Sequence, residues 1–147
     1  MRMDRFTTMA QQALADAQSD AAARSHAEVT GLHVLAALLK ERGGAAWAIL
    51  DKVGNQAARV QSVVDTELKR APTVSGGAAN AGRGLMEVLQ RAEAAAKAMG
   101  DSYVSSEHLL LALADVGGVG SAKDVLQTVG GADRKRIEQA VKQIREA

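Results

Sequence analysis

The segment Val29-Thr30-Gly31-Leu32-His33-Val34-Leu35-Ala36-Ala37-Leu38 is written a second time as Val104-Ser105-Ser106-Glu107-His108-Leu109-Leu110-Leu111-Ala112-Leu113, 75 positions later (108 minus 33). In each copy a hydroxyl residue stands three positions before a histidine, and an apolar run follows. A hydroxyl oxygen at that place accepts from the orphan N–H groups of a helix's first turn, so Thr30 and Ser105 read as N-caps of equivalent helices. Both histidines then fall at N3, where a side chain can help satisfy the first turn. The match extends outward. Leu14 and Ala17 pair with Leu89 and Ala92 at the same spacing; Leu50, Gly54 and Val64 pair with Leu126, Gly130 and Val141 after a drift of a residue or two at turns.

The chain has 147 residues, 47% apolar but only 2% aromatic, which predicts one domain with an aliphatic, alanine-rich core. Alanine favours helix and lets helices approach closely, and no alternating strand pattern bounded by turns stands out, so the expected fold is all-α. Eighteen basic residues against 17 acidic ones give a net charge of +1, which carries no electrostatic footprint for nucleic acid or an anionic membrane. Cysteine is absent, so disulfides and thiolate chemistry are excluded and a reducing compartment is compatible. Met1 to Arg5 lead into a polar helix without an apolar signal region, and no stretch is long and apolar enough for a bilayer; the reading is a cytoplasmic protein.

Eight helices are expected. Asp4 or Thr7 caps the first, which runs to about Ala23 with Phe6, Met9, Ala10, Ala13, Leu14 and Ala17 as its apolar stripe. Arg24 to Glu28 read as a polar connection, and Gly43-Gly44 as the stop of the second helix after Lys40. The third carries Trp47, expected to lie buried against the fourth, whose face is Ala57, Val60, Val63, Val64 and Leu68. Residues 71–84 hold the only proline and four of the 14 glycines, the composition of a flexible joint. Beyond it the pattern repeats: a fifth helix striped by Leu85, Val88, Leu89, Ala92, Ala96 and Met99, the His108 helix, a seventh with Leu126, and an eighth with Ile137, Ala140, Val141 and Ile144. The charges from Asp133 to Glu146 read as that helix's solvated face. The domain is thus a duplicated four-helix repeat, with repeat one at about 4–70, the joint at about 71–84 and repeat two at about 85–147. Halves of roughly 65–70 residues are marginal alone, so the two are expected to pack face to face about a pseudo-twofold axis. A chain end directly after the eighth helix reads as a boundary within a longer protein.

Catalytic patterns are lacking. There is no Gly-x-x-x-x-Gly-Lys-Ser/Thr loop, and the glycines fall at helix ends and in the joint. Ser105, His108 and Asp101 lie close together, but the cap already accounts for Ser105, so no hydrolytic triad is assigned. A metal shared by the symmetry mates His33 and His108 has neither cysteine nor a His-x-x-x-His pair to support it. Tyr103, in the connection before the second capped helix, is placed where an amphipathic ring can line a groove.

The two His-Val-Leu and His-Leu-Leu copies, the opening Asp4-Arg5-Phe6-Thr7 with Ala13-Leu14-Ala15-Asp16-Ala17-Gln18, and Gly100-Asp101-Ser102-Tyr103-Val104-Ser105-Ser106-Glu107-His108 resemble the amino-terminal domain of Clp-type AAA+ chaperones over essentially the whole chain. The opening and the Ala71-Pro72-x-Val74-x-Gly76 joint are most similar to the ClpB-type branch, the protein disaggregases. The resemblance implies a mobile domain ahead of two ATPase modules in a homohexameric ring, itself monomeric when isolated, which captures unfolded or aggregated polypeptide and passes it to the ring. ATP and magnesium would belong to those other modules, and this chain would hold no cofactor and catalyse nothing. The resemblance places client binding at Thr7, Arg91, Ala95, Asp101, Glu107 and His108, joined here by Tyr103. Arg91 and Ala95 stand where some members carry larger apolar groups, which implies a shallower, more polar groove. The alternatives are an adaptor- or tag-binding domain of a ClpC- or ClpA-type unfoldase and a free-standing regulator on the same fold. ClpC-type domains tend to carry a Glu before the His in both copies, and Leu32 departs from that pattern.

Overall fold

The computed structural model describes residues 3–146. Met1, Arg2 and Ala147, on which the readings of the two chain ends partly rest, lie outside the described residues. After a short 3₁₀ turn at Met3–Arg5 come eight helices: α1 (Thr8–Ala23), α2 (Gly31–Leu39), α3 (Ala45–Gly54), α4 (Ala57–Arg70), α5 (Arg83–Ala98), α6 (Ser106–Asp115), α7 (Lys123–Thr128) and α8 (Arg134–Glu146). Among the described residues none of these is long and apolar enough to cross a membrane.

The duplicated segment forms the centre. α2 and α6 are buried nearly all round, α6 from His108 through Ala114, as expected of helices whose sequence is apolar on every face. α1 lies on α2 and α5 lies on α6. The buried stripe of α1 is entirely alanine, Ala10, Ala13, Ala17 and Ala21, so its backbone can approach α2 closely. The remaining helices cross over: α3 packs on α8 and α6, and α4 packs on α2 and α7. The four-helix repeats therefore share one continuous aliphatic core in the pseudo-twofold arrangement expected. Gly31 shows how tight the seam is. A Cβ there would stand 3.2 Å from Leu113 Cδ2 and 3.4 Å from the backbone N of Ala122, both in the other repeat.

Several local expectations are corrected. α2 ends before Gly43-Gly44, and Gly44 is instead the N-cap of α3. α3 does end at Gly54, where its sequence places the stop, and the left-handed C-cap that follows is Asn55, at φ 56°. Trp47 is only half-buried, and its ring is covered by the Arg42 guanidinium 5.2 Å from the ring centre. The joint is strapped down rather than loose. Val74, Asn80 and Gly82 donate N–H bonds to the carbonyls of Ser25, Ala27 and Val29, Gln18 Nε2 donates to Ala79 O, and Ala79 is buried. Two parallel two-residue strands result, β1 (Glu28–Val29) and β2 (Asn80–Ala81), which no alternation in so short a stretch could announce.

Candidate functional site

The first turn of α6 builds the predicted site. Ser105 N–H donates to His108 Nδ1 at 2.8 Å, and the serine side chain accepts from the N3 backbone to complete a capping box. A ring nitrogen that accepts from an N–H carries a lone pair, so the network assigns the neutral ring's proton to Nε2. Nε2–H then donates to Asp101 Oδ2 at 2.7 Å. Asp101 and Glu107 both accept from Arg145 in the last turn of α8, at 2.8 and 2.7 Å from Nη2. The Arg145 hydrogen bond, supported by the one from His108, holds the Asp101 carboxyl below its ordinary range. Glu107 first and Asp101 second push the Arg145 guanidinium further toward its charged form.

Ser105, His108 and Asp101 thus stand in the order of a hydrolytic triad without its chemistry. His108 is 1% exposed and its Nδ1 lone pair is taken by a backbone N–H. Ser105 Oγ lies 3.2 Å from the same Nδ1 and also accepts from the N3 backbone, so the hydroxyl is held in the helix cap rather than presented as a free nucleophile.

α1 is stitched to this turn. Thr7 caps α1 by accepting from Ala10 N–H at 3.1 Å, while its own N–H donates to Val104 O and Val104 N–H donates to Arg5 O. The 3₁₀ turn, α5 and the α5–α6 connection enclose an open hollow of about 450 Å³ bordered by Arg5, Gln90, Glu93, Lys97, Asp101 and Ser102. The structure therefore brings Thr7, Asp101, Tyr103, Glu107 and His108 to the start of α6, with Tyr103 57% exposed. Two predicted residues are not with them. Ala95 is 3% exposed, its methyl spent in the core, so it presents nothing to a client. Arg91 pairs with Glu87 and reaches toward Asp115, at the far end of α6, where Arg134 also binds that carboxylate.

Repeat one carries the same cap with different partners. Thr30 N–H donates to His33 Nδ1 at 2.9 Å, and His33 Nε2 lies 2.8 Å from His26 Nδ1, the rings meeting edge to face. His26, assigned above to a polar connection, is buried and holds the place of Asp101. Burial, then the charge of His26, pushes the His33 ring down to about 4. Leu32 stands for Glu107, and buried Leu68 for Arg145. Local sequence signals mark neither the buried His26 nor the guanidinium of Arg145 as part of these sites. The 75-residue shift applied to Asp101, and the 77-residue shift of Val64 to Val141 applied to Leu68, lead to both.

Comparison with known proteins places this arrangement. The Clp repeat (R) N-terminal domain matches residues 5–129, and the chain belongs to that family. The relatives it resembles in sequence are ClpB chaperones. It is 35% identical to that of Rhodopirellula baltica over 145 residues, 98% of this chain and 16% of the relative, and 33% identical to that of Pseudomonas putida over 99% of this chain and 17% of the relative. The chain thus spans about one sixth of the length of these relatives. Its fold matches the Hsp104 N-terminal domain of Candida albicans (TM-score 0.81, 22% identity, 95% of this chain and 91% of that one). It also matches the ClpV N-domain of Vibrio cholerae (TM-score 0.79, 20% identity, 97% and 86%). A ClpV N-domain has been solved in complex with a VipB peptide, and it too shares the fold (TM-score 0.75, 22% identity, 93% and 84%).

Proposed function

We propose that this domain is the client-recognition domain of a ClpB-like disaggregase, taking unfolded or aggregated polypeptide and handing it to an ATPase ring elsewhere in the protein. The observation that carries the reading is the hollow where α5 meets the α5–α6 connection, bordered by Arg5, Glu93, Lys97 and Asp101, in a chain whose sequence is ClpB-like over nearly its whole length. A shallow surface hollow with mixed charges suits weak, promiscuous capture, because it engages backbone and side chains without demanding one shape. Client contact is assigned to Thr7, Asp101, Tyr103, Glu107 and the exposed residues of α5. His108 acts through Asp101 as a positioning residue. Arg91, paired with Glu87 and turned toward Asp115, and the buried Ala95 are left out of the contact set.

The domain works as a monomeric arm of a cytoplasmic homohexamer and binds neither nucleic acid, membrane nor nucleotide; ATP and magnesium serve the ring. The adaptor-docking alternative draws support from the shared fold of the ClpV N-domains, and Leu32 in place of an acid weighs against a symmetric reader of phosphorylated arginine. Binding of fluorescein-labelled reduced, carboxymethylated α-lactalbumin, followed by anisotropy, tests the reading. Micromolar or weaker binding, reduced severalfold by the D101N/E107Q double variant, is expected. Binding unchanged by the double variant with the fold intact would move the site elsewhere, and calorimetry showing stoichiometric ATP binding would overturn the division of labour.

A further inference from the structure

Asp101, which borders the hollow, and Glu107 in the first turn of α6 are already occupied by the protein itself. Arg145 Nη2 lies 2.8 Å from Asp101 Oδ2 and 2.7 Å from Glu107 Oε1, with Nη1 3.4 Å from Asp101 Oδ1. A guanidinium satisfied by two carboxylates at once is held in a defined pose, and the buried His108 fixes the carboxylate that receives it. The helix end that supplies it has little else to hold it. Ile137, Ala140 and Val141 bury the body of α8, but every side chain from Lys142 to Glu146 is exposed. The tie is also confined to repeat two, because the equivalent place in repeat one is filled by Leu68, locked in the core at 2% exposure. Arg145 itself remains 37% exposed in a screened setting, so the tie is of the weak, exchangeable kind.

The geometry points to an autoinhibitory latch: Arg145 is an internal competitor for the groove, displaced when a basic client side chain takes Asp101 and Glu107, and its displacement frees the last turn of α8. This rests on the client-recognition reading above and names both the preferred client chemistry and the regulation of that site. Client binding and the fraying of the last turn of α8 are then one equilibrium. Any ligand that binds the unlatched form better shifts the population toward it by its differential affinity. Removing the latch removes the competition, so affinity rises by the reciprocal of the unlatched fraction.

The test uses the whole 147-residue chain, wild type and R145Q, with two fluorescein-labelled unstructured peptides that differ only in carrying two arginines or two glutamines. Hydrogen exchange of residues 142–146 is followed alongside anisotropy. R145Q should bind the arginine peptide about three- to tenfold more tightly than wild type, and the glutamine peptide with unchanged affinity. In wild type, the arginine peptide should accelerate exchange in the last turn of α8 at the same concentrations at which it binds. R145K, which keeps a charge without the planar fork, should fall between the two. Equal or weaker binding of the arginine peptide by R145Q, with a wild-type circular dichroism spectrum, would overturn the latch while leaving the groove in place. So would client binding that leaves or increases the protection of residues 142–146. Absence of binding of either peptide to either protein would overturn the client-recognition reading, and the latch with it.

Discussion

Repeat one and repeat two solve the same helix-capping problem with opposite electrostatics. Both place a histidine at N3 whose Nδ1 accepts the N-cap N–H, at 2.9 Å from Thr30 and 2.8 Å from Ser105. Behind that ring, repeat one puts His26, Leu32 and Leu68, and repeat two puts Asp101, Glu107 and Arg145. The first set is the more apolar: His26 and Leu68 are buried and Leu32 is half-buried, at the edge of an open hollow of about 410 Å³. The second remains partly wet and keeps charges at the surface, Asp101 at 27% and Glu107 at 19% exposure. The two copies keep the caps and the core, while the groups behind the histidine differ: mostly apolar in repeat one, charged and partly exposed in repeat two.

The largest effect should come from separating the repeats. Residues 1–74 alone lose the surfaces that α3 and α4 bury against α8 and α7. They should show no cooperative thermal transition by circular dichroism, whereas the whole chain should unfold in a single step. A fragment that melts as cooperatively as the whole chain, at the same temperature, would break the shared core.

Next in size are the capping histidines. His108→Ala and His33→Ala each delete a fully packed ring and strand an N-cap N–H, a loss of about 2–4 kcal/mol in denaturant titration. Costs below about 1 kcal/mol would show the caps to be ornamental.

Acid should separate the repeats without mutation. The His33 pKa falls from an ordinary 6.5 to about 4 on folding, so between those values the unfolded chain binds the extra proton. The His33 contribution is complete above about pH 6.5 and is lost as pH falls toward 4, by roughly 3 kcal/mol in total. Asp101, held down by Arg145, has the same sign but a lower window: its contribution is complete above the ordinary carboxylate value and is lost only as pH falls below it. His26→Asp installs the partner that repeat two uses. It should raise the His33 pKa, read from the ring's carbon-bound proton shifts, and flatten the stability profile between pH 6.5 and 4. An unchanged titration would show that His26 is not the counterpart of Asp101.

The smallest effect belongs to Arg145→Gln. The pair is exposed enough for solvent to screen it, so the stability loss should not exceed about 1 kcal/mol. A larger loss would make Arg145 a structural strut.

Much of this was legible in the sequence because helical periodicity survives on its own. The two capped copies gave α2 and α6, and the stripe through Leu85, Val88, Leu89 and Ala92 gave α5. The same stripe, continued by three residues from Ala92, reaches Ala95 and predicts its burial, against the place that the family resemblance assigned it. What sequence could not give were contacts made across the fold. The joint's composition says flexible, but its backbone is tied to Ser25, Ala27 and Val29 by bonds that depend on no side chain. His26 sits among polar neighbours in sequence, yet the fold buries it with its ring against His33 of α2. Arg145 reads as one charge among many on a solvated face until α8 brings it to Asp101, 44 positions away in sequence.

The two repeats differ most sharply in which of them would meet the client. A spin-labelled, reduced and carboxymethylated α-lactalbumin titrated into the ¹⁵N-labelled chain reports this directly through paramagnetic broadening. Broadening centred on Thr7, Asp101, Tyr103 and Glu107, with His26, Leu32 and Leu68 left sharp, is the predicted result. Broadening centred on His26, Leu32 and Leu68, with the start of α6 untouched, would contradict it.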